Sequence, residues 1–381
     1  MKTNILLSIF LIFISSCSTL TFWSDDSDED IIEPVALQSI QDEYPISQEW
    51  KKSFKGENNL GSFKPSFYSG NMIIADPEGN ITSTNPQSGK INWKINLERE
   101  LAAGVASGFG KLIVSDINGF VIAIDFETQD IIWEKNIGGE VLANTLVSAS
   151  LILVKNSVGE LVALSSSTGE KKWSFRSQLP ALTVRGTGEP IIENDVVFSS
   201  FDNGRLGAFQ LDTGFFLWDA PISFVEGSSE LENLIDGDSA PVLAKQLIFA
   251  TNYQGNLTAF DITQKRPVWN AKASSFHSPV VVNNMIMVVQ DNGSILSFSM
   301  TNLAPSWTSE EYLRRELSNG VAYKNMMLVG DLEGYVHVIN PLTGITLGRK
   351  KVSRNPIMSI VTFREFAYVI DQESNIAAIK L

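Results

Sequence analysis

Few side chains in this sequence have the type and spacing that chemistry requires. The two histidines, His277 and His337, are far apart, and neither has a second ligand at metal-binding spacing, so no metal centre is expected. Cys17 is the only cysteine and closes an apolar run, which leaves no disulfide, haem attachment or thiol catalysis to consider. No Ser–His–acid set can be assembled, and neither a Walker motif nor a dinucleotide glycine motif is present. The sequence therefore predicts no catalysis and no cofactor. A net charge of −14 argues against nucleic acid, whose phosphates call for clustered Lys and Arg. What stands out is a set suited to recognising a protein. Leu182 and Val184 lie beside Arg185, and Asp236 lies beside Asp238. Apolar anchors edged by groups that form charge-assisted hydrogen bonds fit a protein interface.

Those five residues acquire meaning from the elements that must carry them. The stretch KLIVSDINGFVIAIDFETQDIIWEK, 111–135, reads as apolar strand, turn, strand, short turn and a last strand with Trp133. It recurs with turn glycines Gly79, Gly119, Gly159, Gly204, Gly255, Gly293 and Gly334. Fourteen residues after each stand Trp93, Trp133, Trp173, Trp218, Trp269, Trp307 and, in the seventh copy, Gly348. Fourteen residues before, four copies have Pro65, Pro190, Pro241 or Pro279. A spacing kept through so much substitution marks a repeat protein. Each Trp is expected between neighbouring units, and Gly348 predicts a local packing deficit.

The ends of the chain complete one another. ISQEWKKSF, 46–54, matches the Trp strand without the strands before it, while 366–381 has the earlier strands, with Asn375 in the glycine position, and then stops. Joined, they make an eighth copy and close a ring with no free sheet edge between units. The fold predicted is all-β: an eight-bladed β-propeller of four-stranded antiparallel blades, its C-terminal blade completed by the N-terminal strand. Period-two alternation, as in Phe120–Asp125, excludes a helical solenoid.

The interval from turn glycine to Trp never varies, so departures fall between a Trp and the next glycine. Two are long and consecutive, Trp173–Gly204 and Trp218–Gly255. The extra residues lie in 176–188 and 223–238, which join the outer strand of one blade to the inner strand of the next. Strand alternation puts these connections on the face of the glycine hairpins, where two enlarged neighbours would form a ridge. Arg185 and Asp236 each sit nineteen residues before their turn glycine, in equivalent places on blades four and five. They could brace the loops by pairing with each other, or be offered with Leu182, Val184 and Asp238 to a partner.

The first stretch, MKTNILLSIFLIFISSC, has one lysine and an apolar run too short to span a membrane, and reads as a signal peptide. Ile14-Ser15-Ser16-Cys17 resembles the lipobox of bacterial lipoproteins, which implies diacylation at Cys17; Ser18 after it suggests sorting to the outer membrane. Residues 18–43 carry eight acidic side chains and no basic one. They read as an extended, self-repelling tether. The division expected is a signal peptide at 1–16, an acidic flexible tether at 17–43 and the propeller at 44–381.

The strand Ile122–Asp125, the Thr-Gly turns at 168, 213 and 343 and the following Trp resemble the pyrroloquinoline-quinone-type repeat, shared by quinoprotein dehydrogenases and non-catalytic propellers. More specifically, LTVRGTGEP, FDNGRLGAF, LDTGFFLWD, EGSSELENLIDGDSAP and NYQGNLTAFD within 182–261, with the lipobox, resemble the BamB family of lipoproteins of the β-barrel assembly machinery. The resemblance implies a periplasmic propeller tethered to the outer membrane, one copy in a hetero-oligomeric complex. It would bind the POTRA domains of BamA, meet other subunits of the machinery and assist folding of outer-membrane proteins. The family's Leu-x-Leu-Arg-Gly and Asp-x-Asp contact motifs fall on Leu182, Val184, Arg185, Asp236 and Asp238. Val184 replaces a leucine, and Asn233 stands where an arginine is usual. Two alternatives remain: another envelope-binding propeller, or a quinoprotein dehydrogenase.

Overall fold

A computed structural model describes residues 33–58, 63–178, 188–223 and 239–381. Among them, 32 strands form eight four-stranded antiparallel sheets. Blades one to seven span 66–96, 106–136, 146–176, 191–221, 242–272, 280–309 and 321–351. In the eighth, Ser47–Ser53 pairs antiparallel with Asn375–Lys380, outside the strands Phe366–Asp371 and Ile357–Phe363. The ring is closed as the split repeat predicts.

Burial explains the composition of each strand. The two middle strands of a blade are covered on both faces by neighbouring blades, so they read as continuous apolar runs. All five residues of Leu151–Lys155 are buried, and so are those of Met285–Val289. The outer strands alternate, as in Ile91–Asn96. The alternation expected for Phe120–Asp125 is absent: its four central residues are all buried. Period two belongs to the outer strands, because only they meet solvent on one side.

The fixed glycine has two duties. Gly119 takes φ 81°, and a Cβ there would lie 2.7 Å from the carbonyl oxygen of Gly139, where the connection to the next blade crosses the hairpin. Asp116 organises the turn, its Oδ1 accepting from the amides of Asn118 and Phe120, both at 2.9 Å. Two positions differ from the sequence reading. In blade five Gln254 carries the positive φ, not Gly255, and in blade eight Ser374 does so, not Asn375. Counting three on from the capping residue, as from Asp116 to Gly119, places Ser374 after Asp371 but not Gln254, which lies two after Asn252.

Each Trp faces a small residue on the neighbouring strand: Trp133 is paired with Ala123, Trp173 with Ala163, Trp218 with Ala208 and Trp50 with Ala378. The indoles reach across to the next blade. Trp133 Nε1 donates to Ser166 O at 3.0 Å and Trp173 Nε1 to Leu211 O at 2.8 Å. The ring of Trp133 lies against the turn glycine Gly169, where a Cβ would come within 2.6 Å of it.

Blade seven has Gly348 opposite Val338, and the expected deficit does not occur. A Cβ at Gly348 would stand 2.3 Å from Tyr44 O, so main chain occupies the place of the indole. Residues 34–43, which the sequence places in the tether, lie along blades six and seven and belong to the same compact unit as the blades. Residues 17–32 of the tether, and the signal peptide with Cys17, lie outside the described residues.

Candidate partner-binding face

Strand direction puts the glycine hairpins and the blade-to-blade connections on one face, which hydrogen bonds confirm. Eighteen residues after the turn glycine, the chain leaving the outer strand donates back to that glycine's carbonyl. Ser177 N reaches Gly159 O at 3.0 Å, and Ile222 N reaches Gly204 O at 2.8 Å. The two long connections therefore leave from adjacent hairpins, as predicted.

All five predicted contact residues, Leu182, Val184, Arg185, Asp236 and Asp238, lie outside the described residues. What is described is the ground they spring from. Ser223, the last residue before the second connection, donates to Asn252 Oδ1 at 2.7 Å and accepts from Asn256 N at 2.8 Å. Ser239, the first after it, donates to Thr251 O at 2.7 Å. Both ends of 224–238 are thus pinned to consecutive residues of blade five, and fifteen residues must begin and end at one spot.

Between blades three and four, Lys155 Nζ meets Asp202 Oδ1 at 2.9 Å with both side chains nearly fully buried. Sequence reasoning missed this pair. The signal was available, since Lys155 stands where other copies have Ala75, Ser115, Ser200 or Thr251. Toward the rim, Phe175, Phe201, Phe209 and Phe216 cluster around a cavity of about 320 Å³ whose lining includes Gln178 and the Arg205–Asp219 pair. Gly207 makes room for these rings, since a Cβ there would lie 2.9 Å from Phe201. On blade five's hairpin, Tyr253 stacks on Phe276 with centroids 4.3 Å apart. Phe201 and Phe209 are buried, whereas Phe216 and Phe276 are exposed and Phe175 and Tyr253 half-buried, so an accessible aromatic pair beside the root of each connection suits a protein partner.

Neither histidine joins a set of metal ligands. Among the described residues, no three His, Cys, Asp or Glu side chains converge on a common point. Lys64, ahead of blade one, meets Glu189, ahead of blade four, at 3.7 Å. His337 is fully buried between Asp331 and Arg349 in blade seven. His277 Nε2 is 2.9 Å from Leu317 O and so links the connections on either side of blade six.

Burial pushes the pKa of His277 down to about 4, against the hydrogen bond to Leu317 O and with the charge of Lys64 adding to the fall. The folded value lies below the ordinary 6.5, so the unfolded chain takes up the proton first. The contribution of this residue is complete above pH ~6.5 and is lost as pH falls toward ~4, at up to ~1.4 kcal/mol per pH unit. Urea unfolding at pH 7.5 and 5 should show His277→Gln losing less stability on acidification than the wild type. Equal losses would mean that His277 is hydrated and ordinary.

Comparison with known proteins follows the same outline. The family model described as outer membrane protein assembly factor BamB matches residues 77–309. The BamB of Kangiella koreensis is 35% identical over 361 residues, which cover 92% of this chain and 93% of that protein. The chain belongs to the BamB family. A second BamB, from Pseudomonas aeruginosa, is 36% identical over 326 residues, covering 85% of this chain and 86% of its own. Among solved structures, the crystal structure of BamB from Moraxella catarrhalis superposes with a TM-score of 0.81 at 22% identity, covering 88% of this chain and all of that one. That superposition bears on the fold, an eight-bladed propeller in agreement with the blades described above. Family membership and fold both agree with the sequence reading, and the family's role is outer membrane protein assembly.

Proposed function

We propose that the chain is a non-catalytic accessory subunit of the outer-membrane β-barrel assembly complex. It docks on the POTRA domains of BamA and assists the folding and insertion of outer-membrane proteins. Diacylation at Cys17 after removal of residues 1–16 would hold it on the periplasmic side of the outer membrane, with the acidic stretch that follows as spacer. Leu182 and Val184 act as apolar anchors, while Arg185, Asp236 and Asp238 set orientation through charge-assisted hydrogen bonds. The observation that carries this reading is the rooting of the two longest connections on adjacent hairpins of one face, with both ends of the second pinned to blade five.

The test is calorimetry of the soluble chain, begun at Ser18, against the purified POTRA segment of its cognate BamA. Arg185→Glu runs beside the wild type. Loss of one member of a buried charged contact costs about 2–5 kcal/mol of binding, so affinity should fall at least ~30-fold while the unfolding midpoint stays put. Equal binding by both chains would overturn the residue assignment. No binding by the wild type would overturn the partner and return the choice to another envelope ligand.

A further inference from the structure

Blade seven departs from the repeat at a position that the other copies fill with Trp, and its partner residue departs with it. Gly348 replaces the indole and Val338 replaces the small residue opposite. The N-terminal segment takes the vacated place. Glu43 N and Tyr44 N both donate to Leu347 O, at 2.8 and 3.0 Å. Further toward the N-terminus, two arginines grip main-chain carbonyls. Arg349 Nη1 donates to Gln38 O at 2.7 Å, and Arg315 Nη1 to Val35 O at 2.9 Å. Each arginine is itself held by carboxylates, Arg349 by Glu311 at 2.7 Å and Arg315 by Asp331 at 2.8 Å and Glu333. Val35 N closes the contact by donating to Leu313 O at 3.1 Å, and Leu37 packs on the apolar cluster between blades six and seven.

We propose that residues 34–44 are a latch, a built-in strap that replaces the missing Trp and fixes where the N-terminal segment joins the propeller. The geometry gives the latch a direction. Tyr44 lies by the start of blade seven's outer strand, whereas Val35 lies by the connection from blade six to blade seven. That connection is on the glycine-hairpin face, the face of the two long connections. Latched, the chain enters the propeller on that face. Unlatched, it would enter near Tyr44 at the opposite end of the strand, with about 35–40 Å more extended chain. The consequence for membrane reach rests on the lipid-anchor reading above; the latch itself does not.

Gly348→Trp restores the repeat's own side chain and sets it against the strap. The backbone at Gly348 has no positive φ, so the blade accepts the change, while the carbonyl of Tyr44 cannot stay. Hydrogen exchange on the soluble chain begun at Ser18 reads the result without any lipid. In the wild type the amides of Val35, Glu43 and Tyr44 should be protected. In Gly348→Trp they should exchange at least ~100-fold faster, with the amides of blades one to five unchanged. Gly348→Ala, whose methyl group alone would lie 2.3 Å from Tyr44 O, is the second variant should the tryptophan prevent folding. Unprotected amides in the wild type, or protection that persists in a folded variant, would overturn the latch and leave the anchor reading untouched.

Discussion

Arg315→Leu should lower the unfolding free energy by about 3–5 kcal/mol, the cost of leaving a buried charge without its partner. Arg315 is 2% exposed, and its guanidinium serves three acceptors: Asp331 through two nitrogens, Glu333, and Val35 O. Burial works against its charge, but Glu333 and Asp331 more than offset that and raise its pKa. Asp331 is fully buried, and burial alone would favour its neutral form. His337, the amide of Tyr335 and Arg315 hold its pKa below the ordinary carboxylate range instead. Leucine at 315 would leave that carboxylate with a histidine whose own pKa burial has lowered. Urea unfolding at pH 7.5 reads the loss, and Arg315→Leu/Asp331→Asn should regain part of it. A loss below ~1 kcal/mol would put the pair among solvent-screened ones. Acidification carries the same sign. A carboxylate with a depressed folded pKa contributes stability above its unfolded value near 3.8, and that contribution fades as pH falls through the folded value.

The architecture was legible in the sequence because its spacing is set by geometry that tolerates no slack. A hairpin crossed by the next connection demands a residue without Cβ at 79 or 119, and an indole seated on the following blade demands a fixed distance from that hairpin. The strap was not legible, for an equally physical reason. It is held through its backbone, by Leu347 O, Arg315 and Arg349, so it needs no pattern beyond half-buried Val35, Leu37 and Ile40. Its acidic neighbours masked that pattern and drew it into the tether. The informative residue was Gly348, read as a deficit when it marks a space filled by another segment. The candidate face divides in the same way. Loop lengths are countable and pointed to the connections after blades three and four. The buried Lys155–Asp202 contact joins side chains 47 residues apart and follows from no local rule, only from a lysine out of place in an apolar strand.

That pair carries the second large effect. Lys155 and Asp202 have side chains 3% and 6% exposed, and the 2.9 Å contact between them is not a well-directed hydrogen bond for either atom. Among the described residues each charge has therefore given up water for one imperfect partner, the arrangement in which desolvation rivals attraction. Lys155→Met should destabilise by about 3–5 kcal/mol because Asp202 stays behind without its lysine. Replacing both, Lys155→Met with Asp202→Leu, should cost far less and could exceed wild-type stability, since apolar side chains of like volume avoid the desolvation altogether. A double-mutant cycle in urea gives the coupling. The same variants ask why an inefficient pair is kept here. It joins blade three to blade four where the connection bearing Leu182, Val184 and Arg185 begins and ends. If it fixes that juncture for the partner, the double mutant will recover stability while its affinity for the POTRA segment stays low. If affinity recovers with stability, any side chains that fill the space between the blades serve equally well, and the pair has no part in the proposed orienting role of Arg185, Asp236 and Asp238.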